Sequence, residues 1–243
     1  MIEIENLRKR YRNTIAVSSV SFDAPNGLVT GLLGPNGAGK TTVLRAITGL
    51  LKPEAGHVRV DGLDVGARPS GARKRLGALP EVVGLYDHLT VREHLGYAGE
   101  LHGMAGEAIE RQVRVLLDRF ALSPLSERRA STLSLGQKRR VAMARALVHE
   151  PANVVLDEPT NGLDVLSARE VRREVRRLAD SGRAVLFSSH VMPEVSAVCD
   201  RIIVMSKGVV VAQGTPADIT ARADVASLED AFVKLIGSDE GLN

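Results

Sequence analysis

Apolar and polar positions along the chain change their period several times, and each change marks an element. Ile2 and Ile4 alternate with Glu3 and Glu5, and the alternation returns over residues 17–22, which predicts half-buried antiparallel strands. Residues 28–33 are a short apolar run ending at Gly34, as a buried strand would. From Lys40 the spacing turns helical, with Val43, Leu44 and Ile47 on one face and Gly49 as the stop. Val58 and Val60 predict another short strand before an Asp61-Gly62 turn.

Over residues 85–147 the strand signal disappears. Ile109, Val113, Leu116, Leu117 and Phe120 fall on a single stripe, which predicts an amphipathic helix packing on a core. Strand signal returns at residues 154–156, 184–187, 202–205 and 209–212. Between the first two of these, residues 167–179 predict a helix in which Glu170 and Glu174, interleaved with arginines, belong to an exposed surface. The pattern is α/β with an all-helical insertion. Residues 222–243 are read as a C-terminal tail, fraying from Gly237.

Composition narrows the function. With 44% hydrophobic residues the chain is globular. The net charge is +3, and the basic runs Arg8-Lys9-Arg10, Arg73-Lys74-Arg75 and Lys138-Arg139-Arg140 read as solvated faces. Aromatics are 3% and Trp is absent, so nucleic acid is not an expected partner. The single cysteine, Cys199, sits in an apolar context and is expected to be a buried, inert thiol. No run approaches the roughly 20 apolar residues that span a bilayer. The expectation is a soluble, cytoplasmic chain that reaches any membrane process through a partner.

The chemistry is concentrated in a few segments. Residues 34–41 read G-P-N-G-A-G-K-T. This G-x-x-x-x-G-K-[ST] pattern lets backbone N–H groups turn inward around phosphate oxygens at a helix N-terminus. Gly34, Pro35, Asn36, Gly37, Ala38 and Gly39 form the loop, Lys40 reaches the β- and γ-phosphates, Thr41 ligates Mg²⁺, and Thr42 adds a hydroxyl for the α-phosphate. The strand at 154–156 ends in Asp157, which can hold the metal's water shell, and Glu158 beside it is a general base for water. His190 follows another apolar strand, where it either contacts the γ-phosphate and links the water to Glu158 or is structural. The other five histidines show no metal-ligand spacing.

In order along the chain come G-P-N-G-A-G-K-T-T, a helical insert, L-S-L-G-Q at 133–137, L-D-E-P-T-N-G-L-D at 156–164 and S-S-H at 188–190. That series resembles the ATP-binding subunits of ABC transporters over essentially the full length. The resemblance implies a P-loop NTPase core with a mixed parallel sheet and an N-terminal antiparallel β-subdomain over 1–84 and 148–221, with a helical signature subdomain at 85–147. It further implies a homodimer holding two MgATP, each between one subunit's phosphate loop and the other's Ser134, Gly136 and Gln137. Asn161 to Asp164 would join the two sites across the dimer, with Asp164 at the nucleotide, and Tyr11 would stack on adenine.

The chain departs from the family's pattern twice. Leu135 stands where the signature usually has Gly, and Glu81 stands where Gln usually follows Pro80. Glu81 still offers an oxygen to the metal or water, and it adds negative charge beside the triphosphate. Residues 84–95, 101–104, 164–169 and 227–237 are similar to the sodium-exporter type, whose relatives include drug, haem and polysaccharide exporters. Such a subunit would work peripherally at the inner face of the membrane, on a separate permease. A small-molecule kinase would share the phosphate loop but has no need of L-S-L-G-Q. A soluble ABC ATPase of translation or repair would carry two cassettes or a long coiled coil.

Overall fold

The structure, a computed structural model, describes residues 1–237. The chain runs β1 (Ile2–Tyr11), β2 (Thr14–Ala24), β3 (Val29–Leu33), α1 (Lys40–Ile47), β4 (Ala55–Val60), β5 (Leu63–Asp64), α2 (Pro69–Arg73) and β6 (Leu76–Leu79). The insert follows as α3 (Val91–Leu101), α4 (Gly106–Arg119) and α5 (Leu135–Leu147). The remainder is β7 (Asn153–Asp157), α6 (Val165–Asp180), β8 (Ala184–Ser189), α7 (Met192–Val198), β9 (Arg201–Ser206), β10 (Val209–Gly214), α8 (Pro216–Ala223) and α9 (Leu228–Ile236).

Among the described residues the strands join one ten-stranded sheet in the order β5-β4-β1-β2-β10-β9-β3-β8-β7-β6. Its β9-β3-β8-β7-β6 half is parallel, while β2, β1, β4 and β5 pair antiparallel. The α/β fold with a mixed sheet, an antiparallel part and a helical insert is therefore present. Sequence pattern explains the split. The parallel strands are continuous apolar runs buried on both faces, whereas β1 and β2 alternate.

Two apolar layers cover the sheet, and successive residues of each central strand feed opposite layers. Leu33, Leu156 and Phe187 point into the layer that also holds the insert, while Leu32, Val155 and Leu186 point into the layer under α1. The α4 stripe at Ile109, Val113, Leu116, Leu117 and Phe120 is buried, as its spacing predicts. It belongs to the same apolar cluster as β7 and β8, so the insert shares the core's interior.

Three expectations need correction. Glu174 is buried, not surface: it pairs with Arg119 from the end of α4 and, at 3.1 Å, with Arg177. Helical spacing alone could not see the cation arriving from another element. Arg139 is buried rather than part of a solvated run, because it lies on the face of α5 that holds Met143 and Leu147. Residues 222–236 are no loose tail, since α9 buries Ala231 and Phe232 against the core. The fraying expected after Gly237 falls outside the described residues.

Three histidines line the seam between insert and core. His94 accepts from Tyr86 N at 2.9 Å through Nε2, and its Nδ1 donates to Thr90 O at 2.8 Å, so the neutral ring is already fully used. His149 stacks on His102 with centroids 3.5 Å apart. Burial, and then the His102 charge, push its pKa down to about 4 from 6.5. Burial also lowers the pKa values of His94 and His102. The unfolded chain therefore binds more protons than the folded one below about pH 6.5, so stability is present above that pH and is lost as pH falls toward 4. Melting temperature should drop steadily between pH 6.5 and 5, and His149→Asn should flatten that slope in a thermal-melt series.

Candidate active site

The C-terminal ends of β3, β8, β7 and β6 lie side by side, in register at Leu33 with Ser189, Asp157 with Ser188, and Leu79 with Leu156. Each strand delivers one part of the site past its end: the phosphate loop, His190, Glu158 and Glu81. Ligands in open α/β sheets gather at this edge because the loops leaving parallel strands converge there.

The loop between β3 and α1 is shaped by its glycines. Gly39 has φ 102°, and a Cβ there would come within 2.7 Å of Ala16 O, so this position excludes a side chain. A Cβ on Gly34 would meet Met205 O at 2.4 Å. No side chain caps the N-terminus of α1, which leaves its first N–H groups open to an anion. Lys40 folds back over the loop and donates to Gly34 O at 2.5 Å and to Pro35 O at 3.3 Å. Burial lowers its pKa, opposed by the charges of Glu158, Asp157 and Glu81.

Across the cavity, Ser188 ties the two acids together. Its hydroxyl donates to Asp157 Oδ1 at 2.6 Å and accepts from Glu158 N at 3.0 Å. Glu158 leaves the sheet with φ 46°, unusual for a residue with a side chain, and turns its carboxylate inward. Glu158 Oε1 then lies 2.9 Å from His190 Nδ1 and 3.9 Å from Lys40 Nζ. His190 thus stands within charge-pair distance of Glu158 on the cavity wall.

These groups line a cavity of about 510 Å³. It brings together Tyr11, Pro35, Asn36, Gly37, Ala38, Gly39, Lys40, Thr41, Thr42, Glu81, Asp157, Glu158 and His190. Gly34 packs beneath the loop on Met205. Ser134, Gly136, Gln137 and Asp164 are not among the lining residues. Ser134 and Gln137 form a capping box at the start of α5, with Ser134 N donating to Gln137 Oε1 at 2.9 Å and Gln137 N to Ser134 Oγ at 3.3 Å. Asp164 caps α6, where bonds from Ser167 and Leu166 hold its pKa below the usual carboxylate value.

The ABC transporter family matches residues 17–161. The chain belongs to that family. The cassette is 39% identical over 219 residues to the ABC transporter ATP-binding protein NatA of Bacillus subtilis, covering 88% of this chain and 89% of NatA. It is also 39% identical over 215 residues to the Nod factor export ATP-binding protein I of Burkholderia lata, covering 88% of this chain and 71% of the relative. Among solved structures, a dimeric ATP-binding cassette in a post-hydrolysis state, bound to ADP and Pi, superimposes with TM-score 0.81 at 25% identity, over 88% of this chain and 98% of that one. The family identifies an ATP-binding, ATP-hydrolysing cassette.

Several residues that shape the site escaped the sequence reading. Arg139 donates to Glu81 O at 3.0 Å and to Asn161 O at 3.1 Å, tying together the backbones of two site loops. Its place at helical spacing from Met143 was the available signal. Ala16 packs against the loop at Gly39, lines the cavity and bears no chemical mark at all. Ser188 was visible in S-S-H, but its role depends on a strand register that no sequence pattern fixes.

Proposed function

We propose that the cassette is the energy-supplying subunit of an ABC exporter and that it hydrolyses MgATP only as a head-to-tail dimer. One observation carries this reading: none of residues 133–137 lines the cavity that holds the phosphate loop, although Ser134 and Leu135 are exposed. In the capping box the Ser134 oxygen already accepts a bond, and its own proton is uncommitted. It is therefore set to donate to a phosphate oxygen on a second copy, at a helix start that favours anions. The dimeric relative bound to ADP and Pi supports the same arrangement.

In this reading the N–H groups of the loop and α1 hold the phosphates, and Lys40 leaves its carbonyl partners for the β- and γ-oxygens. Tyr11, 41% exposed at the cavity mouth, receives the base. Thr41, Asp157 and Glu81 offer a hydroxyl and two carboxylates from the cavity wall, a hard-oxygen set suited to Mg²⁺. Bound there, Mg²⁺ would neutralise charge developing on the phosphates. Glu158 takes the proton of the attacking water, and His190, oriented by Glu158, offers Nε2 to the γ-phosphate side.

A second cavity of about 510 Å³ lies between the core and the insert, with Leu50, Val82, Tyr86, Tyr97 and Leu101 on its walls. Thr41, Glu81 and Asp157 line it as well as the nucleotide cavity. This apolar groove fits a segment of a separate transmembrane permease, whose docking would bear directly on the metal residues that share its wall. No helix of the described residues is long and apolar enough to cross a membrane itself. Cargo is selected in the permease, and the sodium-exporter resemblance makes Na⁺ the first cargo to assay.

Ser134→Arg is the direct test. It should abolish ATP hydrolysis while leaving the affinity of the monomer for a fluorescent ATP analogue within about twofold, because the added bulk and charge disturb only the partner's site. Unimpaired hydrolysis, or a rate per molecule independent of protein concentration, would remove the shared-site reading.

A further inference from the structure

Past the paired ends of β7 and β8, the two loops that carry Glu158 and His190 have no shared backbone hydrogen bonds to hold them. Asp157 with Ser188 is the last registered pair, and beyond it Glu158 turns out of the sheet. Yet the Glu158–His190 contact is held at 2.9 Å. The link is made on the far side of the strand ends, by Glu194 in the first turn of α7. Its Oε2 accepts from the hydroxyls of both Thr160 and, at 3.2 Å, Ser189. Thr160 is two residues after Glu158 and Ser189 is immediately before His190. Ser189 is further fixed by accepting from Val191 N at 3.0 Å, and Arg172 of α6 lies 3.8 Å from Glu194 Oε1.

We propose that Glu194 is a positioning residue for hydrolysis: one carboxylate oxygen clamps the general-base loop to the histidine loop and so sets the Glu158–His190 geometry. The adjacent serines divide the labour. Ser188 fixes the acids on the cavity side, and Ser189 fixes the clamp behind them. Glu194 is absent from the cavity lining, so it acts only through Thr160 and Ser189. A carboxylate in the first turn of a surface helix ordinarily faces water and serves the helix dipole. This one is turned inward onto a threonine and a serine that are both buried.

The inference rests on the ATP-hydrolysing reading, and the experiment separates the two. Displacing a base from its working geometry costs up to about 100-fold in rate, so Glu194→Ala should lower kcat by about 10- to 100-fold. KM for ATP and binding of a fluorescent ATP analogue should stay within about twofold, because the phosphate loop is untouched. Glu194→Gln keeps an oxygen that accepts from both hydroxyls and should recover kcat to within about threefold of wild type. Thr160→Val should slow hydrolysis in the same way and be non-additive with Glu194→Ala, as for two parts of one contact. A folded Glu194→Ala protein with wild-type kcat, a Gln variant as slow as Ala, or additive losses would each overturn the clamp. A wild-type chain that neither binds nor hydrolyses ATP would instead bring down the ATPase reading, and the clamp with it.

Discussion

Glu158→Gln should leave ATP bound and uncleaved, and the protein should then elute as a dimer with ATP and as a 26.0 kDa monomer without it. The substitution keeps the size of the side chain and an oxygen that can stay beside His190, so the cavity keeps its shape. What disappears is the group that takes a proton from water, a contribution worth about 10²- to 10⁴-fold in rate. Removing one negative charge also relieves repulsion beside the γ-phosphate, so affinity for ATP should hold or rise. Sizing chromatography with ATP, paired with a phosphate-release assay, reads both effects. Near-wild-type turnover would take Glu158 out of the role of base, and a turnover-dead variant that remained monomeric with ATP would refute closure around the triphosphate.

Lys40→Ala acts on binding. The Lys40 ammonium now satisfies itself on two loop carbonyls and lies 3.9 Å from Glu158. Charge-assisted bonds to phosphate oxygens contribute about 1.5–3 kcal/mol each. Losing two of them costs about 3–6 kcal/mol, which weakens ATP by at least about 100-fold. The variant also leaves Asp157, Glu158 and Glu81, the acids whose charges act on Lys40, with Arg139 alone as their buried cation as the triphosphate arrives. Titration with a fluorescent ATP analogue measures the loss, and unchanged affinity would remove the phosphate loop from the site.

The fold was largely legible where a pattern is local. Alternation in Ile2 to Glu5, the apolar run ending at Gly34 and the α4 stripe each reflect how a single element meets one or two faces. The phosphate loop was equally plain, because its glycine positions follow from backbone geometry within a few residues. What stayed hidden depends on a second element. Glu174 read as surface until Arg119 arrived from another helix, and Arg139 read as a solvated cation because its acceptors are carbonyls of distant loops. The cavity itself assembles from β3, β6, β7 and β8, whose spatial order no periodicity encodes. Ser134 illustrates the opposite limit, since its motif was obvious while its position away from the phosphate loop became clear only in three dimensions.

Thr41, Glu81 and Asp157 belong to the walls of both cavities. A small apolar compound wedged into the Tyr86–Tyr97 chamber would press on those three shared residues. It should throttle fuel consumption by lowering kcat, a loss that raising ATP in a steady-state inhibition series should not restore. For anyone seeking inhibitors of such engines, the greasy back room is a better target than the crowded, highly charged front one.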